Sequence, residues 1–122
     1  LWERKITLIV PVPLHSRRKR KRGFNQAEIV AKVLSKNTGI AMDAGAVKRI
    51  KATSPQKELG DKGRKRNIRG AFAVQKNVKG ENIVLIDDIY TTGSTLDEAA
   101  RVLKKAGAEK VYFLTVSIGQ GI

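Results

Sequence analysis

Two adjacent carboxylates, Asp87 and Asp88, follow an apolar stretch, and a hydroxyl-rich segment begins shortly after them. The segment consists of Thr91, Thr92, Gly93, Ser94 and Thr95. Its hydroxyl groups can bind an anion such as phosphate. Backbone N–H groups can bind the same anion where a glycine with positive φ lets them converge. The carboxylates would repel that anion, so they require hydroxyl donors on the same ligand, a divalent cation, or both. A ribose 5-phosphate unit satisfies this pattern.

A purely structural role is the alternative for each of these residues taken alone. Asp88 could turn the chain after a strand, and Ser94 could cap a helix. That interpretation does not explain two carboxylates after a wholly apolar strand, because desolvating both is costly unless a ligand or solvent compensates. The sequence contains neither G-x-x-x-x-G-K-[ST] nor G-x-G-x-x-G, which excludes the P-loop and dinucleotide-binding classes.

The elements around this motif are predicted from the apolar pattern. Residues 83–86 are aliphatic and predict a buried strand, while residues 95–106 carry an apolar stripe and predict a helix that ends at Gly107. Residues 111–116 predict another buried strand. Strand, helix and strand with short links are typical of a right-handed parallel crossover, so the fold class is α/β. In such sheets, ligands bind beyond the carboxyl ends of the strands, near helix N-termini.

The rest of the chain supplies further elements. A buried strand is predicted over residues 6–10, stopped by Pro11 and Pro13, and an amphipathic helix from Asn25 to about Gly39. Residues 47–50 and 71–74 are predicted to be short strands. The polar residues 51–66 predict a long loop, and loops of that length inside a compact domain are usually functional.

Length and charge restrict the function classes. The 122 residues fit one domain, 1–122, which we expect to be the C-terminal part of a longer chain because it does not begin with Met. Residues 1–80 carry 21 Lys and Arg against 5 Asp and Glu, whereas residues 81–122 carry 4 against 6. This asymmetry points to a polyanionic partner. The absence of cysteine excludes a thiolate metal site, and the absence of a long apolar run predicts no membrane insertion and a cytoplasmic location.

Residues 83–95 closely resemble the motif that binds 5-phosphoribosyl 1-diphosphate (PRPP) in type I phosphoribosyltransferases, with Tyr90 where that family usually has an aliphatic residue. Residues 10–14, Arg18 and residues 22–28 look like the opening of ComF-type proteins, the competence-associated branch. Several residues between 53 and 72 resemble that branch too. The resemblance implies a three-layer, parallel-sheet, phosphoribosyltransferase-like (Rossmann-like) fold. It also implies a phosphoribosyltransferase that takes PRPP with Mg²⁺.

The same resemblance implies roles for individual residues. Asp87 and Asp88 would hold the ribose hydroxyls, and the Thr-Thr-Gly-Ser-Thr segment would hold the 5-phosphate. Leu14 and His15 would lie in the turn that receives pyrophosphate. The loop 51–66 would close over the reacting centre, where Arg64 would stabilise charge. ComF-type proteins typically carry an upstream cysteine-rich zinc segment; this chain has no cysteine, so we expect no metal ion other than Mg²⁺.

A basic run separates the first strand from the first helix. It consists of Arg17, Arg18, Lys19, Arg20, Lys21 and Arg22. A solvated flank is the ordinary interpretation of such a run, whereas salt-dependent contact with single-stranded DNA is the functional one. Two hypotheses follow. The chain is a PRPP-dependent transferase, or it is a non-catalytic accessory protein of DNA uptake that binds single-stranded DNA and has other competence proteins as partners.

Overall fold

The computed structural model describes residues 5–13, 25–50, 68–88 and 93–116. Four parallel strands form its main sheet: β1 (Leu8–Pro11), β2 (Ala41–Met42), β5 (Asn82–Asp88) and β6 (Lys110–Val116). Their order across the sheet is β2-β1-β5-β6. Two short strands, β3 (Val47–Arg49) and β4 (Phe72–Val74), pair antiparallel beside it. Two helices lie wholly within the described residues: α1 (Gln26–Thr38) and α2 (Gly93–Lys105).

The two central strands, β1 and β5, are apolar on both faces because both faces of the sheet are covered. One apolar cluster joins the α1 residues Ala27 and Ala31 to the sheet, and contains Ile86. The other cluster joins Leu103 of α2, and the β3–β4 pair, to the opposite face at Leu85. Helix α1, the main sheet, and helix α2 with the β3–β4 pair therefore form three layers. The predicted α/β class and its parallel sheet are confirmed.

Helix α1 has the ends that the sequence predicts. The Asn25 side chain accepts a hydrogen bond from the N–H of Ala27 at 3.0 Å, which caps the N-terminus. At the other end Gly39 adopts the left-handed conformation, with φ of 77°, and donates its N–H to the carbonyl of Ser35. The predicted boundaries, from Asn25 to about Gly39, are confirmed.

Strand β1 differs from the prediction, because Pro11 is its last residue and does not stop it. Successive residues of a strand direct their N–H groups to opposite sides, and the N–H of Val12 donates to the carbonyl of Ile86 in β5 at 2.9 Å. The nitrogen of Pro11 therefore faces the β2 side, where β2 has already ended at Met42, opposite Ile9. No hydrogen bond is lost there, so proline is tolerated.

Strand β6 corrects a second prediction. Residues 111–116 were expected to be a buried strand, yet Tyr112, Phe113 and Leu114 are 37%, 49% and 41% exposed. Within the described residues β6 pairs only with β5, so it is an edge strand. A continuous apolar run predicts a strand, but the number of elements packed against that strand decides its burial.

Candidate functional site

The paired carboxylates are the last two residues of β5. The sequence predicts a strand that ends at Ile86, whereas in the structure Asp87 lies opposite Thr115 of β6 and Asp88 lies opposite Val116. Pairing with β6 therefore fixes the backbone that carries both carboxylates at the carboxyl end of a central strand. The side chain of Asp88 lies outside the described part of the chain.

Asp87 is 2% exposed. By the two-residue period of a strand its side chain lies on the same face as Ile83 and Leu85, which pack in the cluster shared with α2. A carboxylate that is buried on an apolar face requires polar company, and Asp87 does take part in polar interactions. The predicted binding carboxylate is therefore buried, on the α2 side of the sheet edge.

Helix α2 begins inside the hydroxyl-rich segment, at Gly93. Ser94 is half-buried and Thr95 is 4% exposed. Gly93 was expected to turn the chain through positive φ; that prediction is wrong, because Gly93 is not among the glycines with positive φ and is already helical. A Cβ at Gly93 would meet no described atom within 4 Å, so the backbone there is open to approach.

The N-terminus of α2 suits an anion. Helix N-termini usually carry Asp or Glu, which complements the positive end of the helix dipole. The first turn of α2 contains no acidic residue, although the helix is 13 residues long. The unpaired N–H groups and the dipole of α2 are thus not compensated by an acid of the helix's own first turn.

One turn further along α2, Glu98 is the centre of a hydrogen-bond network that the sequence reading missed. Its Oε1 accepts from Nε of Arg101 at 2.8 Å, and its Oε2 accepts from an Nη of Arg101 at 2.7 Å. Oε2 also accepts the backbone N–H of Gly70 at 3.0 Å. Glu98 is only 6% exposed. The hydrogen bonds from Arg101 are the main reason that the pKa of Glu98 is lowered from 4.5. The available sequence signal was the i,i+3 spacing of Glu98 and Arg101.

The start of α1 reaches the same edge of the sheet. The Asn25 side chain donates to the carbonyl of Val12 at 3.1 Å, and the N–H of Val12 donates to the carbonyl of Ile86 at 2.9 Å. Ile86 directly precedes Asp87, so these bonds bring the first turn of α1 to the end of β5. The sequence predicted Asn25 as a helix start and assigned it no place near the site.

Several predicted site residues lie outside the described part of the chain. They are Leu14, His15, Arg17, Arg18, Lys19, Arg20, Lys21, Arg22, Arg64, Thr91 and Thr92. Of the predicted phosphate and ribose contacts, the structure describes Asp87, the backbone of Asp88, and residues 93–95, and it brings them together where β5 ends and α2 begins. Within residues 5–13, 25–50, 68–88 and 93–116, no group of three or more His, Cys, Asp or Glu could hold a metal ion.

A membrane-spanning helix is not found among the described helices, since each is too short or too polar to cross a bilayer.

Residues 6–118 match the family model of the phosphoribosyl transferase domain. The chain therefore belongs to the phosphoribosyl transferase domain family. Within that family it is of the ComF type, as the relatives below indicate.

Three relatives illustrate the match. The chain is 43% identical over 103 residues to DNA utilization protein YhgH of Salmonella typhi, covering 84% of this chain and 45% of that protein. It is 42% identical over 106 residues to Competence protein F of Haemophilus influenzae, covering 84% and 46%. It is 36% identical over 101 residues to Competence protein ComFC of Bacillus subtilis, covering 82% and 39%. The chain thus spans less than half the length of these relatives.

A solved structure shares the fold. The allosteric regulatory enzyme of purine biosynthesis superposes with a TM-score of 0.55, over 88% of this chain and 21% of that one. The two are 20% identical in sequence, and this likeness shows the fold alone.

Proposed function

We propose that this domain binds PRPP and transfers its phosphoribosyl group with Mg²⁺. The observation that carries the proposal is the buried Asp87 at the end of β5, followed at Gly93 by a helix whose first turn carries no acid. The carboxylate favours hydroxyl donors and the N-terminus of the helix favours a phosphate. A ribose 5-phosphate unit carries both groups. Membership of the phosphoribosyl transferase domain family supports the same ligand.

The carboxylates and the N-terminus of α2 would bind different parts of the ligand. Asp87 and Asp88 would accept hydrogen bonds from the ribose hydroxyls, and the segment from Thr91 to Thr95 would donate to the 5-phosphate. The turn at Leu14 and His15 would receive the pyrophosphate. The acid-free first turn of α2 favours this orientation, because a phosphate there interacts with the positive end of the dipole.

The residues also fit Mg²⁺, because adjacent carboxylate oxygens are the hard ligands that this ion prefers and the ion is usually shared with substrate phosphates. Asp87 and Asp88 would hold it together with PRPP. When bound, Mg²⁺ would neutralise charge on the pyrophosphate. The chain's own carboxylates would orient the ribose.

In the reaction the bond between C1 of the ribose and the pyrophosphate oxygen breaks, and the pyrophosphate leaves with the electron pair. An acceptor nucleophile forms the new bond to C1 and loses a proton. Arg64 would stabilise the charge that develops on the pyrophosphate. The protein contributes orientation, cations and exclusion of water, and needs no nucleophile of its own.

Isothermal titration of PRPP into the protein tests the proposal. With Mg²⁺ present we expect saturable binding at one site, and weaker binding once EDTA removes the ion. Ribose without a phosphate should produce no heat, because it lacks the group that the α2 N-terminus would bind. Absence of binding by PRPP and by ribose 5-phosphate alike would refute the ligand assignment.

Single-stranded DNA binding is a second candidate function. Two observations favour it: the relatives include proteins named for DNA utilization and for competence, and the formal charge of the chain is +14. An association with competence and with other competence proteins belongs to this candidate. The basic run from Arg17 to Arg22 would supply the contact, by releasing counterions from backbone phosphates.

The salt dependence of DNA affinity tests this second candidate. Replacing Arg17, Arg18, Lys19, Arg20, Lys21 and Arg22 by Ser should reduce the slope of log K against log salt by up to about 4 for single-stranded DNA. The matched control removes six exposed lysines scattered over the described elements: Lys36, Lys48, Lys76, Lys79, Lys105 and Lys110. Both variants lose six positive charges. Equal changes in slope would mean that net charge, and not the basic run, determines binding.

A further inference from the structure

Strand β6 leaves one edge of the main sheet open within the described part of the chain. It is the last strand in the order β2-β1-β5-β6, and Tyr112, Phe113 and Leu114 at its centre are all exposed. Proteins usually protect such an edge with a proline, a bulge or a charge in the middle of the strand. Strand β6 has no proline, pairs with β5 without a bulge, and carries its one charge on Lys110, its first residue. The edge therefore suits pairing with another strand.

The hydrogen bonds of β5 show which backbone groups of β6 point outward from that edge. The carbonyls of Asn82 and Ile86 accept N–H groups from the β1 side of the sheet, so the even-numbered residues of β5 bond to β1 and the odd-numbered ones to β6. In a parallel ladder, each odd-numbered residue bonds to the two neighbours of its partner in β6, and not to the partner itself. Leu85 is the partner of Phe113. The backbone N–H and C=O groups that point outward are therefore those of Val111, Phe113 and Thr115.

The exposed side chains of β6 are divided between the two faces of the sheet. Phe113 is on the face that α2 covers, because it lies opposite Leu85. Tyr112 and Leu114 are on the face that α1 covers. All three remain exposed, so neither helix buries them. Both faces of the strand thus present apolar surface beside the outward backbone groups.

We propose that β6 pairs antiparallel with β6 of a second copy of this chain, around a two-fold axis at Phe113. The backbone suits this arrangement, because Phe113 of each copy would exchange both of its outward hydrogen bonds with Phe113 of the other. Val111 would do the same with Thr115 of the other copy, so about six hydrogen bonds would join the two sheets. The same surface is used on both copies, and the assembly therefore closes at a dimer.

The side chains match under the same two-fold axis. Phe113 would lie beside its counterpart on the α2 face of the joined sheet. On the α1 face, Tyr112 would lie beside Leu114 of the other copy. Aromatic pairs and aromatic–aliphatic pairs across strands stabilise antiparallel sheets. The sequence of β6 is therefore complementary to itself in this register.

The charge of the chain is compatible with a second copy at this edge. The formal charge is +14, but residues 81–122 carry 4 Lys and Arg against 6 Asp and Glu, and β6 belongs to this slightly acidic part. The two Lys110 residues would stand at opposite ends of the strand pair, about 20 Å apart, which is well beyond the Debye length at physiological salt. The strand therefore adds little repulsion between two copies.

Sedimentation equilibrium of the protein tests the proposal. Because a single strand pair is a small interface, we expect reversible dimerisation, with the mass rising from 13.4 kDa toward twice that value as protein concentration increases. Phe113→Lys would place two like charges beside each other at the axis, so the Kd of the dimer should rise at least about a hundredfold. Phe113→Glu should have the same effect for the same reason.

A mixture of the Phe113→Lys and Phe113→Glu proteins tests the position of the axis. An arrangement that places residue 113 beside itself turns two repulsive homodimers into one attractive heterodimer, so the mixture should associate. This recovery also distinguishes a lost contact from a lost fold, which mixing would not repair. The matched control is Ile29→Lys, the same change at a 44% exposed position of α1, which should leave the Kd of the dimer unchanged.

A protein that stays at 13.4 kDa at every concentration would overturn the proposal. So would a dimer that survives Phe113→Lys, or one that Ile29→Lys weakens equally, since the contact would then not lie at β6. A mixture of the two Phe113 variants that stays monomeric would refute the two-fold axis at that residue.

Discussion

The double substitution Asp87→Asn with Asp88→Asn is expected to abolish PRPP binding, raising the Kd by at least about a hundredfold. The substitution would weaken two charge-assisted hydrogen bonds to ribose hydroxyls, each worth about 1.5–3 kcal/mol. It would also weaken the binding of the Mg²⁺ that accompanies PRPP. The fold should persist, because Asp87 is held by the β5–β6 pairing of its backbone. Isothermal titration and circular dichroism of the same sample measure both properties.

The matched control for that variant is Asp97→Asn, which removes a negative charge from an exposed position of α2, four residues after Gly93. It should bind PRPP like the unsubstituted protein. If the double variant keeps its affinity, the carboxylates do not hold the ribose. If Asp97→Asn loses affinity to the same extent, the loss does not depend on contact between the carboxylates and the ribose, and the site assignment is wrong.

The described part of the site is formed by two elements adjacent in sequence, β5 and α2, which is why much of it could be predicted. The apolar pattern of β5 and the stripe on α2 are local signals, and both elements are where they were predicted. Asp87 and Gly93 lie six residues apart, so once strand and helix are predicted their meeting point follows. The boundaries were less accurate because pairing with β6 extends β5 through Asp88, and pairing is not a local property.

Three of the failures have a common physical cause, because each depends on a neighbour distant in the chain. The exposure of Phe113 follows from the lack of a described strand beyond β6. The place of Pro11 within β1 follows from where β2 ends. The bond from Gly70 to Glu98 joins residues 28 positions apart. The pattern of a single sequence contains the type of each residue and the period of each element. It does not contain which distant group each residue will contact or bond.

Replacing Glu98 by Ala is expected to lower the free energy of unfolding by about 2–3 kcal/mol, the range for a hydrogen-bonded charged group whose partners are left unmatched. The loss has two parts. Arg101 loses a bidentate partner, and the N–H of Gly70 loses its acceptor. Urea unfolding at pH 7 measures the change.

A second ion pair provides the control. Glu28 and Lys32 are also spaced along a helix, but their charged atoms are 3.9 Å apart and their side chains are 30% and 66% exposed. Glu28→Gln should therefore cost less than about 1 kcal/mol, including any effect on the α1 dipole. Equal costs at both positions would show that the buried geometry of Glu98 adds nothing.

The pH dependence distinguishes the charge of Glu98 from its packing. The pKa of Glu98 in the folded protein lies below 4.5, chiefly because of the hydrogen bonds from Arg101. The unfolded chain then binds the proton more readily, so the stabilisation is complete above pH 4.5 and is lost as pH falls through the lowered pKa. The stability difference between the unsubstituted protein and Glu98→Gln should thus be largest near neutral pH and shrink below about pH 4. A difference that stays constant down to pH 3 would mean that shape and packing, not the carboxylate charge, hold residue 70 against α2.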